Sequence, residues 1–485
     1  MHTTTRSPAL PLLVALLAAS PAWAANQTPI ADAGPDRIAG TSAHVVLDAT
    51  RSHDRDGLLE AYQWRQTQGA RVKLEGADTS APGFTSPSTL KGDTETLVFR
   101  LTVTDDQKAT ASDTVSVRLS RAPVCPAPQR LVDGMCATVA RFNDTGLNRC
   151  ADTAVYDLAC PLAFLPGQDG DFGRDVRFPD DTDGKAGFSF TKIGANGVKL
   201  SAQATEWSCV QDNVTGLIWE AKTADGGSRD MDRLYTQYSP AHDPKGEYGG
   251  PGDANSLLRF VNAQGLCGAK DWRLPGLTEL QGLVDYGVAL PGPAIDLAYF
   301  PHTRSDAYWT GSTDGRDTKS AWAVYFNGGE VYNPDRDQRF AVRLVRGKVN
   351  PNRFVVARNG LEVSDQSTGL IWRRCAEGME WDGTTCTGAP KFFMWYEALH
   401  YTAPGRTGWR LPNVKELASL VNVKSQGLIR IDTKAFPGTT NDQFWTASPW
   451  ANDAFYGWVV QSFYGWSYFT YLEDLNAIRL VRDLP

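Results

Sequence analysis

The chain has 485 residues, 42% hydrophobic and 21% charged, with a formal net charge of −7. That length is enough for about three domains, and the composition is that of folded protein. The acidic balance argues against nucleic acid, whose partners are normally basic, and 45 Gly, 15 Trp and 16 Tyr beside 5 Met point to short strands and many turns.

The N-terminus reads as an export signal over residues 1–24, with Arg6, an apolar run from Leu10 to Ala19, and Ala22-Trp23-Ala24 before the cut. The run is too short to span a bilayer, and no later segment is long and apolar enough. The expectation is a protein without an integral membrane segment, secreted or on the cell surface, with the periplasm also open. The first cysteine is Cys125, so none follows the cut to carry a lipid.

Residues 28–120 alternate apolar and polar side chains through Val45–Asp48, Ala61–Trp64, Leu97–Thr104 and Thr114–Leu119. This is the pattern of an all-β, immunoglobulin-like sandwich without a disulfide. Leu47-Asp-Ala49, Ser52-His-Asp-Arg-Asp-Gly57, Tyr62-Gln-Trp64 and Leu101–Asp106 together resemble a PKD-like domain. That resemblance implies a spacer or interaction module. Asp54 and Asp56, beside Gly57, have two readings: a calcium site built from hard oxygens, or a turn whose carboxylates cap local N–H groups.

Residues 121–205 open with Pro123, Pro126 and Pro128 and continue as a loop-rich stretch. Gly167–Asp175 and Asp180–Gly184 are dense in Gly and Asp, but their spacing is not that of an EF-hand. They are expected to be solvated turns, in a stretch that packs onto the next domain as an extension of it. The eight cysteines suit an oxidising compartment. Many connectivities are open; the proposal is Cys125–Cys136, Cys150–Cys160, Cys375–Cys386 and Cys209–Cys267. A zinc site is the weaker alternative, because no C-x2-C pair or matched histidines occur.

From here the sequence repeats itself. Thr215–Trp219, Trp272–Pro275, Tyr308–Thr310 and Arg343–Arg346 return in the same order as Thr368–Trp372, Trp409–Pro412, Phe444–Thr446 and Arg479–Arg482. The offset is 153 residues at the first landmark, 137 at the second and 136 at the last two. This makes two domains, 206–348 and 353–485, and not a solenoid, whose units are shorter. Helices are expected over Ala254–Ala263 and Phe393–Leu399, and again after each Trp-Arg-Leu-Pro, with the proline in the first turn. Trp272 and Trp409 read as core rings, and Arg273 and Arg410 as partners of Glu279 and Glu416.

The landmark set resembles the Lcl C-terminal-domain family of exported bacterial proteins. It implies two α+β, C-type-lectin-like domains and adhesion to glycans, glycosaminoglycans among them. The order is also similar to that of the formylglycine-generating enzyme family. Its cysteine chemistry does not carry over, since Cys267 stands just before the motif in one repeat and no cysteine stands just before it in the other.

Repeated residues report what the fold needs; residues found in one copy are the candidates for specificity. The loops before the last landmark have diverged most. One holds Asn333-Pro334-Asp335 and Asp337, similar to the Gln-Pro-Asp triplet of C-type lectins but without its Trp-Asn-Asp companion. The other holds Phe463, Tyr464, Trp466, Tyr468, Phe469 and Tyr471. Asn333, Asp335, Asp337, Tyr464, Trp466, Tyr468 and Tyr471 are therefore the candidate ligand contacts, with rings free either to stack on sugars or to pack inward. No nucleophile elbow, zinc-protease motif or P-loop occurs, and no enzyme activity is expected. No cofactor is required, and calcium is the one ion considered.

The reading is a multidomain, adhesin-like binding protein whose partner is an extracellular glycan or a surface protein, with self-association open. The alternative is a structural subunit of an extracellular filament or envelope complex.

Overall fold

The computed structural model describes residues 26–41, 43–120, 130–132, 135–137, 143–177, 179, 181–238, 250, 252–347, 354–401 and 408–483. The export signal and the Cys125–Cys136 pairing fall outside these residues. The chain divides into two compact units, Met1–Ala137 and Thr138–Leu484.

The first unit is β throughout. Leu59–Gln68, Thr94–Asp105 and Thr110–Ser120 pair antiparallel, and Arg37–Ala39 joins the last of these in parallel. Met135–Ala137 and Arg130–Val132 extend that sheet beyond the expected boundary at 120. A second pair, His44–Val46 with Gly83–Thr85, supplies Val45 and Phe84 to one core with Trp64, Leu97, Phe99, Leu101 and Val117. The period-2 pattern read in the sequence is the inward face of these strands.

In the second unit each repeat closes on itself. Phe190–Ile193, Cys209–Asp212, Ile218–Glu220 and Val345–Arg346 form one four-stranded sheet. Phe354–Val356, Glu362–Asp365, Leu370–Arg373 and Val481–Asp483 form its counterpart. The first landmark thus pairs with the last in both repeats. Its glycine, Gly216 or Gly369, sits at φ 78°, a left-handed turn that a side chain would strain. Trp219 and Trp372 are fully buried. Arg343 and Arg479 are buried as well, donating to Thr303 and Thr439 and lying over Phe300 and Phe436.

The Trp-Arg-Leu-Pro motif is a helix cap. Arg273 grips Glu279 through two bonds of 2.7 and 2.8 Å, and the same carboxylate accepts from Gly276 N. Arg410 and Glu416 repeat this at 2.7 Å, with Asn413 as the N-cap. The helices are Leu277–Gln281 and Val414–Ala418. The prolines stand before the cap and not in the first turn, because the glutamate three residues into the helix fixes the cap at residue 276 or 413. Trp272 is buried, whereas Trp409 is only half-buried, with Arg373 and Arg482 over its ring. Ala254–Gln264 is helical as expected; its counterpart is the shorter Trp395–His400.

The repeats are fused along one eight-stranded sheet. Its order is Ala307–Thr313, Ala321–Tyr325, Val331–Tyr332, Ser467–Tyr471, Tyr456–Gln461, Gln443–Pro449, Asn476–Ala477, Phe392–Phe393. The joint is antiparallel and pairs Val331 with Ser467. Those two residues are 136 apart, the offset of the late landmarks, so equivalent strands meet about a local pseudo-twofold. One hydrophobic core spans the seam, with Leu277, Leu280 and Trp322 from the first repeat and Val414, Ala451 and Trp458 from the second.

Of the two Asp- and Gly-rich runs, Gly167–Asp175 is drawn inward and not left as a solvated turn, whereas Asp181 and Thr182 of the second run are exposed. Gln168 and Asp169 are buried, and Ser448 donates to Asp169 Oδ2 at 2.5 Å. The Asp144 carboxylate accepts from Arg174 N and Asp175 N. Its Asp side chains satisfy backbone N–H groups, which lets a polar segment lie inside. Lys415 Nζ donates to Asp144 O at 2.5 Å and to Gly282 O at 2.9 Å, tying this segment to both repeats. The segment therefore extends both repeats and not the first alone. Cys150–Cys160, Cys209–Cys267 and Cys375–Cys386 are bonded as proposed.

Candidate functional site

Three of the candidate residues, Asn333, Tyr464 and Trp466, converge at the seam. Asn333 Oδ1 accepts from Trp466 Nε1 at 2.6 Å, and Asn333 Nδ2 donates to Asp314 Oδ2 at 2.5 Å. The Asp314 carboxylate in turn holds Arg430 of the second repeat at 2.6 and 2.7 Å, with side-chain exposures of 1% and 2%. Arg316 reaches across to the carbonyls of Gly427, Leu428 and Phe463. Asp335 and Asp337 are exposed and do not gather around Asn333. Among the described residues the one cluster of three potential metal ligands is Cys150, Cys160 and Asp171, and its cysteines are already disulfide-bonded.

A row of aromatic rings crosses the seam. Phe463 meets Tyr464 edge-on at 4.7 Å, and Tyr464 stacks on Trp466 at 4.4 Å and 16°. Trp466 meets Tyr332 at 5.2 Å, Tyr332 meets Tyr325 at 5.5 Å, and Tyr325 meets Phe340 at 6.0 Å. Three of these rings belong to each repeat. Tyr464 is 41% exposed and the others are half-buried. Burial pushes the Tyr332 hydroxyl up to about 12, with Glu330, Tyr325 and Tyr468 adding to the effect. Burial likewise raises Glu330, whose Oε2 has no hydrogen-bond partner.

Tyr471 lies elsewhere, 57% exposed, beside Tyr456 at 4.4 Å. Tyr456 also touches Phe469, which stacks on Trp450 at 3.8 Å. Of the six rings in this stretch, two are exposed and four half-buried. In the first unit Asp56 accepts from Gln27 N, while both carboxylate oxygens of Asp54 are buried without a hydrogen-bond partner. The two aspartates of that turn thus do different things.

The model of the Lcl C-terminal domain matches residues 208–346 and 361–482, together more than half of the chain. The chain belongs to the Lcl C-terminal domain family. A K319L-like PKD domain matches residues 33–119. A comparison with curated proteins found no match. Solved structures with partial likeness include the PKD domain from KIAA 1837 protein, at 30% identity over 21% of this chain and 100% of that one, with a TM-score of 0.17. The PKD1 domain of Vibrio anguillarum Epp gives 26% identity over 20% and 99%, at 0.15. Carbohydrate-binding modules from the beta-sandwich super family give 26% identity over 27% of this chain and 46% of that one, at 0.16.

Sequence reasoning within single Lcl C-terminal domains missed Tyr325, Tyr332, Glu330, Asp314, Arg316 and Arg430. One signal was available. Tyr332 and Tyr468 are equivalent under the 136-residue offset, so both Lcl C-terminal domains bring the same ring to the joint. No helix among the described residues is long and apolar enough to cross a membrane.

Proposed function

We propose that the protein is an exported, non-catalytic, adhesin-like binding protein that recognises extracellular glycans through two C-type-lectin-like Lcl C-terminal domains. The observation that carries this reading is the seam row, Phe463, Tyr464, Trp466, Tyr332, Tyr325 and Phe340, which is contributed by both repeats and leaves Tyr464 open to solvent. Aromatic faces with adjacent hydroxyls suit ligands that are apolar on one side and polar at the rim. Each repeat's two helices and antiparallel sheet fit the lectin-like plan that the family implies. The PKD-like unit serves as a spacer in this reading, and no cofactor is needed.

The test is a glycan array probed with the chain from residue 26 onward, beside Tyr464→Ala. Retention of a defined set of glycans, weakened by Tyr464→Ala with thermal stability unchanged, is the expected result. Retention of none, with assembly into filaments instead, overturns it in favour of a structural subunit.

A further inference from the structure

We propose that the PKD-like unit holds a calcium ion where Asn26, the turn Asp54–Gly57 and Asp106 meet, and that the ion fastens the first described residues to the sheet. The site is independent of what the Lcl C-terminal domains bind.

Three segments far apart in sequence come together here. Gln27 N donates to the two oxygens of Asp56 at 3.3 and 3.1 Å. Asn26 Nδ2 donates to Asp105 Oδ2 at 2.9 Å, and Asp106 N donates to Leu58 O at 2.9 Å. Acceptors are in excess at this junction. Both carboxylate oxygens of Asp54 are buried without a hydrogen-bond partner, and so is Asn26 Oδ1. The nearby cations are committed elsewhere: Arg51 is paired with Asp32 and Lys108 with Glu60, and among the described residues no ion pair reaches Asp54, Asp56 or Asp106. A carboxylate buried in this way is costly unless a positive group meets it.

Gly57 marks where the oxygens converge. A side chain there would begin 2.4 Å from Asp106 Oδ1 and 2.6 Å from Asp54 Oδ2, so carboxylates from two segments face one point. Gly57 is not in a left-handed conformation. The position therefore needs the space that glycine leaves, and not its backbone freedom. Asp56 and Asp106 are exposed, which opens the junction to an ion from solvent. Carboxylate and amide oxygens in an irregular set suit calcium, which takes about six to eight oxygens in flexible geometry. Magnesium demands a near-ideal octahedron, and zinc favours nitrogen and sulfur.

The full chain, stripped with a chelator, is titrated with calcium chloride by calorimetry. An ion should bind with a dissociation constant of about 0.1–1 mM, the range of extracellular calcium modules. Asp54→Asn and Gly57→Ala should each weaken binding at least about tenfold, since one removes a charged ligand and the other fills the point of convergence. Thermal melts give a second readout that does not depend on the titration. In chelator, Asp54→Asn should unfold no earlier than the parent, because an amide replaces a buried, unpaired charge. Calcium should then raise the melting temperature of the parent and leave that of Asp54→Asn unchanged. Magnesium at the same concentration should not replace it. No calcium binding by the folded chain overturns the inference. Binding that survives both substitutions overturns the placement, and an equal response to magnesium overturns the choice of ion.

Discussion

At five positions related by the 136-residue offset, the first repeat carries Asp314, Lys319, Ser320, Asn333 and Asp335 where the second carries Trp450, Phe455, Tyr456, Phe469 and Tyr471. The same offset sets Ala294 against Arg430. The framework around these positions is shared, down to the two Arg–Glu caps and the buried Trp309 and Trp445. The difference therefore lies in how the repeats meet each other and the solvent. A contact between equivalent strands is self-complementary in plan. Here it is made unequal: Asp314 finds Arg430 only because the partner is the second repeat. Two first repeats joined the same way would bury Asp314 opposite an alanine.

That comparison can be broken at the ion pair, where the largest effect is expected. Arg430→Met leaves Asp314 buried and unpaired and should cost about 3–5 kcal/mol in denaturant unfolding. Adding Asp314→Leu should recover most of the loss, turning the corner into an apolar one like that of Trp450. A single-variant cost below about 1 kcal/mol would mean that the pair is not buried in solution.

The next effect is in pH and concerns the segment that ties both repeats together. Burial, with the neighbouring Asp144 carboxylate, pushes the Asp175 carboxyl up to about 9. A carboxyl raised in the folded state holds its proton there while the unfolded chain has lost it. Its contribution therefore turns against folding as pH rises from about 4 to about 9. Asp175→Asn should flatten the decline of melting temperature across that window; an unchanged slope would contradict the assignment.

A smaller effect distinguishes the two caps. Arg410→Ala and Arg273→Ala each remove a bidentate pair, costing about 1–3 kcal/mol. The second-repeat cap should cost more, because Glu416 is 5% exposed and Glu279 16%. Equal losses in chemical denaturation would show that burial does not separate them. The smallest effect belongs to Tyr464→Ala, expected within about 0.5 kcal/mol of the parent in thermal unfolding. A large loss there would make Tyr464 a core ring.

Much of the framework was legible in the sequence, because it is local or doubled. The Arg–Glu pairs lie six residues apart, and the glycine after the first landmark threonine marks its own turn. The seam was not legible. Asp314 and Arg430 are 116 residues apart, and nothing in either loop announces that Asn333 will accept from Trp466. The calcium-like triplet drew attention to Asn333 for a reason the geometry does not share, since its amide is consumed by the seam. The Asp- and Gly-rich run was expected in water because composition cannot show that carboxylates will meet backbone N–H groups.

The central claim is that the two repeats form one body with one composite site. Hydrogen exchange on the full chain carrying Trp445→Ala tests it most directly, since that ring is fully buried in the second repeat and its loss should cost about 3–5 kcal/mol. Amides of the first-repeat strands Ala307–Thr313 and Ala321–Tyr325 should lose protection in step with those of Gln443–Pro449 and Tyr456–Gln461. Full protection in the first repeat while the second exchanges freely would contradict the claim and leave two independent domains.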